Sequence, residues 1–167
     1  MNCLLVEYPG YGLYKGKCTS EAILRDSETV IKYLLEDLSV PEKNIILIGR
    51  SVGTGPATHL ASKVEVGGLV LVSPYTSLKK LVGDHFGKVA GWMIAERFEN
   101  IAKIGSVSCP TILIHGELDE LISLNHSIEL KKKIKDDVYS ELYISKTMTH
   151  NKYFFKKCYI LLIVFNK

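Results

Sequence analysis

The segment Gly49-Arg50-Ser51-Val52-Gly53 constrains this chain more than any other part of it. It is a G-x-S-x-G run that follows an apolar, strand-like stretch at 44–48 and precedes the helix-forming residues 57–61. A strand that must turn into a helix over so few residues needs a tight, strained corner, and two glycines let the backbone make it. The residue at the corner is lifted above the sheet. Ser51 therefore reads as a nucleophile, with the Val52 N–H as one oxyanion donor. The alternative is an ordinary glycine-rich turn, and the strand before and helix after weigh against it.

The rest of the chain repeats the strand-then-helix alternation. Strand-type runs bounded by glycine, proline or polar turns lie at 3–8, 44–48, 68–72, 111–115 and 141–144. Ser20 can cap a helix with Glu21 in its first turn, and Ile31, Leu34, Leu35 and Leu38 recur at helical spacing before Pro41. Residues 77–98 form a long amphipathic stretch with Leu78, Leu81, Val82, Phe86, Val89, Met93 and Ile94 on one side, and 123–135 give another helix. This order predicts an α/β fold with a doubly wound, mostly parallel sheet. At 167 residues and 47% apolar content, one domain with its own core is expected.

A serine hydroxyl is a weak nucleophile at neutral pH, so it needs a base in reach and an acid that holds the base's tautomer. In a sheet of this kind the chain order is serine, then the acid, then histidine. Asp119 sits in the loop directly after the strand at 111–115, on the edge where Ser51 also emerges. Glu117, Glu120 and Asp84 compete with it, each with the plainer reading of a solvated charge. His150 follows the last strand through the short loop 145–149 and is the histidine placed to hang over that edge. His59 and His126 lie in helices, His115 ends a strand and His85 belongs to the amphipathic stretch, so all four read as structural.

Charge excludes some partners. The 21 basic and 18 acidic residues are scattered, for a net +3, and no basic field points to a nucleic acid. Lys131-Lys132-Lys133 reads as a solvated helix face. Cys3, Cys18, Cys109 and Cys158 are widely spaced with no C-x-x-C pair, which argues against a zinc site and a disulfide framework and suggests a reducing, cytoplasmic setting. No metal or nucleotide cofactor is implied. Residues 1–8 carry no basic leader or cleavage signal, and the apolar run 158–165 is far shorter than the roughly 20 residues a membrane-spanning helix needs.

Several motifs together resemble the eukaryotic α/β-hydrolase-domain proteins of the protein-depalmitoylase branch, the domain-17 type, and more distantly the serine aminopeptidase-type hydrolases. They are Val6-Glu7-Tyr8-Pro9-Gly10-Tyr11-Gly12, Gly49 through Ala57, Ser73-Pro74-Tyr75-Thr76-Ser77, Cys109-Pro110-Thr111, His115 through Asp119, and His150-Asn151. The resemblance implies Ser51, Asp119 and His150 as a catalytic triad. It also implies that the Tyr8–Gly12 loop borders the active site and that 73–77 lies near an acyl pocket, making Tyr11 and Tyr75 substrate-binding candidates. The implied activity is cleavage of an ester or thioester through an acyl-enzyme. An acylated protein is the leading substrate, followed by a lipid or small ester and then a peptide. A substrate at a membrane surface is compatible with this.

The stretch 77–101 is expected to cap the pocket, with Phe86, Trp92 and Met93 either lining it or serving as core. Three features depart from the resemblance. The strands expected before residue 3, including one supplying a second oxyanion N–H, are not in the sequence; Thr149 replaces a glycine; and 151–167 does not resemble the usual closing helix. These lead to the expectation of an N-terminally truncated chain, with 1–150 a partial hydrolase domain and 151–167 an atypical tail. The rival reading is an inactive fragment or pseudoenzyme that acts at most as a binding module.

Overall fold

A computed structural model describes residues 2–87, 89, 93 and 97–152. Its helices and strands alternate as α1 (Ser20–Lys32), β1 (Ile46–Arg50), α2 (Thr54–Ala61), β2 (Gly68–Val72), α3 (Leu78–Phe86), α4 (Asn100–Lys103), β3 (Thr111–Gly116), α5 (Leu124–Lys131) and β4 (Ser140–Ser145). The strands form one sheet in the order β1-β2-β3-β4, and each neighbouring pair is parallel. Parallel neighbours require crossover connections, which the intervening helices supply.

Period-two alternation decides which side chains share a face. Leu47 pairs with Leu69, Leu71 with Leu113 and Leu113 with Leu142, so these leucines line one face. There they meet Ile31 of α1, Ala57 and Leu60 of α2, and Leu130 of α5 in the main core. Leu69, Leu71 and Leu113 are wholly buried, each contributing about 1.5–3 kcal/mol by leaving water. The opposite face carries Val70, Ile112 and Ile114, which cluster with Met148.

The helix starts follow local chemistry. Thr19, in extended backbone, caps α1 by accepting the Ala22 N–H, so the cap falls one residue before the predicted Ser20. Ser77 caps α3 through the Lys80 N–H, and Ser123 caps α5 through the Asn125 N–H. Of the amphipathic stretch expected at 77–98, α3 takes up 78–86 and ends at Gly87, φ +88°, while 88, 90–92 and 94–96 lie outside the described residues. Glycine is the residue that takes this conformation without steric cost.

The strand expected at 3–8 is not one. Leu4, Leu5 and Val6 are 57%, 89% and 40% exposed, and the described sheet begins at β1. An extended run becomes a strand only where a neighbour takes up its N–H and C=O groups, and apolar content alone cannot provide that neighbour. Of the tail expected at 151–167, residues 153–167 lie outside the described residues, as does Trp92. Among the described residues no helix is long and apolar enough to cross a membrane.

Because all four strands run the same way, their carboxyl ends lie along one edge. The loops that leave Arg50, Val72, Gly116 and Ser145 therefore converge there.

Candidate active site

The corner after β1 is built around two close approaches. A Cβ on Gly49 would lie 2.5 Å from the Gly53 carbonyl oxygen and 2.8 Å from the Ala57 Cβ, so that position has room only for glycine. Gly53 is different: its φ of −63° is ordinary. The strain sits on the serine itself, since Ser51 is at φ +49°, a region that costs a non-glycine residue roughly 1–2 kcal/mol. Ser51–Gly53 forms a single 3-10 turn that runs into α2, and the Thr54 hydroxyl donates to the Ser51 carbonyl at 2.6 Å. Val52 thus heads the helix.

Buried polar groups hold this corner from below. The Tyr75 hydroxyl donates to the Val52 carbonyl at 3.3 Å. The Asn100 side-chain amide donates to the Tyr75 carbonyl at 2.9 Å and the Thr54 hydroxyl oxygen at 3.2 Å. Tyr75 is 0% exposed and packs with Ile23, Phe98 and Ile122, and burial pushes its phenol well above the usual range. A fully buried ring offers no surface to a substrate, so Tyr75 supports the corner here instead of lining a pocket. Tyr11 is 52% exposed and stands edge-on to Tyr8 at the rim.

Asp119 has no exposed side-chain surface. Its Oδ1 accepts the N–H groups of Leu121 at 3.0 Å and Ile122 at 2.8 Å. Burial pushes its carboxyl up, but hydrogen bonds from the Ile122 N–H, the Ser73 hydroxyl and the His150 ring outweigh that and hold it below its ordinary value. Ser73 directly follows β2 at φ +47°, a second non-glycine residue in the left-handed region at this edge. The Asp119 loop is itself tied down by His115. One ring nitrogen of His115 must donate to the Ile122 carbonyl at 2.7 Å, and the other accepts from the Ser127 hydroxyl at 2.6 Å. That describes a neutral ring, in keeping with a pKa that burial depresses.

His150 joins the two sides. Its Nδ1 is 3.0 and 3.1 Å from the Asp119 carboxylate oxygens, and its Nε2 is 3.1 Å from the Ser51 Oγ. A carboxylate can only accept, so Nδ1 carries the proton and Nε2 turns its lone pair to the serine hydroxyl. The structure thus brings Ser51, His150 and Asp119 into one hydrogen-bonded line.

The competing carboxylates go elsewhere. Asp84 faces the His126 Nε2 at 3.1 Å, Glu120 accepts the His150 backbone N–H at 3.2 Å, and Glu117 is exposed. His126 accepts the Thr76 N–H, His59 lies between Glu28 and Lys103, and the His85 ring donates to the Leu121 carbonyl. A cavity of about 300 Å³ lies between α3 and the Asp119 loop, with Leu81, His85, Leu121 and Leu124 in its wall. The roles of Ser73, Asn100, Arg50 and Glu120 escape sequence reasoning because their partners lie far along the chain. For Ser73 one signal was available: it directly follows a strand, as the other two candidate loops do.

The chain is similar to known proteins over most of its length. Residues 2–86 match the family described as "Alpha/beta hydrolase of unknown function (DUF1057)". Over 137 residues the chain is 33% identical to alpha/beta hydrolase domain-containing protein aho-3 of Caenorhabditis elegans, covering 82% of this chain and 40% of that protein. It is 31% identical to human alpha/beta hydrolase domain-containing protein 17B, covering 82% and 46%. The chain therefore spans less than half the length of these curated relatives. In three dimensions it resembles an alpha-beta hydrolase from Vibrio vulnificus, with TM-score 0.78 and 20% identity over 94% of this chain and 60% of that one. It also resembles the Pyrococcus furiosus esterase Pf2001, with TM-score 0.73 and 21% identity over 95% and 66%.

Proposed function

This chain belongs to the alpha/beta hydrolases, and from that premise, together with its similarity to the domain-17 proteins, we propose that it is the catalytic part of a serine hydrolase that cleaves an ester or thioester through an acyl-enzyme. The observation that carries this reading is the Ser51–His150–Asp119 line, with hydrogen-bond distances of 3.1 and 3.0 Å.

In the first step Ser51 Oγ attacks the substrate carbonyl carbon while His150 Nε2 takes the hydroxyl proton. Asp119 holds the ring in the required tautomer and offsets the positive charge it gains. The tetrahedral oxyanion is stabilised by the Val52 N–H at the head of α2. Collapse expels the alcohol or thiol, which leaves with the proton from His150. A water molecule then repeats the sequence on the acyl-serine, releasing the acid and restoring Ser51.

The preferred acyl group is a long one, and the preferred substrate an acylated protein, so that the reaction is protein depalmitoylation. This finer reading rests on exposed apolar side chains beside the site. Phe86 is 78% exposed and adjoins His85, whose ring bonds Leu121 in the loop that also carries Asp119; Leu121 and Leu118 are 45% and 56% exposed. Such a rim suits an acyl chain better than a charged leaving group. A cytoplasmic location at the periphery of membranes fits the free, exposed Cys3 and Cys18.

The test is fluorophosphonate labelling together with hydrolysis of p-nitrophenyl esters of two to sixteen carbons and of a palmitoyl-cysteine peptide. Labelling and turnover that vanish in Ser51→Ala support the hydrolase reading. Turnover that persists in Ser51→Ala overturns it, and a preference for the shortest esters overturns the long-chain substrate.

A further inference from the structure

We propose that Arg50 and Glu120 are positioning residues that together clamp the backbone of His150 over Ser51. This rests on the reading of Ser51, Asp119 and His150 as the catalytic line. Arg50 directly precedes the nucleophile, and Glu120 directly follows the acid. Each reaches the base. The Arg50 guanidinium donates to the His150 carbonyl at 2.6 Å and to the Asn151 Oδ1 at 3.4 Å. The Glu120 carboxylate accepts the His150 N–H at 3.2 Å. Both backbone polar groups of the base are therefore taken by side chains that flank its two partners.

Sheet geometry explains the need. Ser51 follows β1 and His150 follows β4, the two outer strands of the described sheet. Strands lie about 4.8 Å apart, so β1 and β4 are separated by roughly 14 Å. The loop after β4 must lean back across the end of β3. It does so in contact with Gly116, where an added Cβ would fall 2.0 Å from the Met148 carbonyl oxygen. No ladder joins β1 to β4, so the strands themselves do not set how far the loop leans. A charged fork from β1 at the His150 carbonyl and an acceptor from the Asp119 loop at its N–H do. Charge-assisted bonds of this kind are among the stronger ones available.

The experiment compares Arg50→Met, Arg50→Lys, Glu120→Ala and Glu120→Gln with the parent and with Ser51→Ala. It measures kcat and KM on p-nitrophenyl acetate, and the rate of His150 carbethoxylation by diethyl pyrocarbonate from peptide mass spectra. His150 is 6% exposed and should react slowly in the parent. Arg50→Met and Glu120→Ala are expected to lower kcat by about ten- to a hundredfold, the effect of misplacing a catalytic group by an ångström or less, with KM within about twofold. His150 carbethoxylation should rise several-fold in both. Arg50→Lys, which keeps one cationic donor, and Glu120→Gln, which keeps the acceptor, should recover most of both signals.

Unchanged kcat and unchanged His150 protection in Arg50→Met and Glu120→Ala, with activity still abolished by Ser51→Ala, would overturn the clamp and leave the hydrolase intact. Turnover surviving in Ser51→Ala would instead overturn the hydrolase, while His150 protection would still report on the clamp. Should Arg50→Met fail to fold, the Glu120 pair carries the same decision.

Discussion

Replacing Asp119 by asparagine tests the proposed chemistry with little change in shape. The carboxylate of Asp119 meets donors only: the Leu121 and Ile122 N–H groups at Oδ1, the Ser73 hydroxyl, and His150 Nδ1. An asparagine must keep its oxygen where the two backbone N–H groups point, because those cannot turn away. Its NH2 group then takes the place of Oδ2, 3.0 Å from Nδ1. The retained oxygen lies 3.1 Å from Nδ1, but both its lone pairs are taken by the Leu121 and Ile122 N–H groups, so the NH2 facing the ring drives the proton to Nε2, where it points at the Ser51 Oγ 3.1 Å away. In that tautomer the histidine cannot accept the serine proton. The expected loss is on the order of 10⁴ in kcat, about 5 kcal/mol of transition-state stabilisation. The assay is single-turnover acylation by a p-nitrophenyl ester, with the rate of fluorophosphonate labelling alongside and a thermal melt to show that the fold survives. A variant that melts normally and acylates within tenfold of the parent would refute the argument.

Three further outcomes are expected. Gly49→Ala should destabilise by about 1–3 kcal/mol or more, since its Cβ overlaps the Gly53 carbonyl and Ala57, whereas Gly53→Ala, with only the Tyr8 hydroxyl 3.5 Å away, should fold normally; equal melting temperatures for the two would contradict this. Tyr75→Phe keeps the packed ring and loses the bond to Val52, so a cost of about 1 kcal/mol in urea unfolding is expected, and a loss above about 3 kcal/mol would show that the hydroxyl does more than the structure assigns it. Burial depresses the pKa of His59, His115 and His126, so the unfolded chain takes up protons near pH 6.5 before the folded chain does, and the melting temperature should fall as pH drops below that value; a flat or rising melting temperature between pH 7 and 5 would contradict it.

Much of this molecule was legible before folding, because the signals were local. The strand at 68–72 was expected at its observed bounds, and the strands at 111–115 and 141–144 came within a residue at each end. Val, Ile and Leu runs bounded by turn residues depend on near neighbours alone. The helical stretches beginning near 77 and 123 and the strand-corner-helix around Ser51 have the same short range, and a parallel sheet follows from the alternation of elements. Local does not mean fully read: the helix stop at Gly87 was also a local signal, and the apolar periodicity around it concealed it.

Other features depended on contacts between distant residues. An apolar run at 3–8 has strand character, yet only a paired neighbour turns it into one. Among Asp84, Glu117, Asp119 and Glu120, composition and spacing left several carboxylates open, and the meeting of His150 Nδ1 with Asp119 across 31 residues distinguishes one. Tyr75 carries the same phenol whether buried or exposed, and its place under the corner depends on Ile23 and Phe98 from other elements. Arg50 finds the His150 carbonyl across 100 residues, and Asn100 finds Thr54 across 46. Hydrogen bonds and burial are properties of pairs. A residue's type limits the bonds it can make, and only the packed fold decides which partner is there to make them.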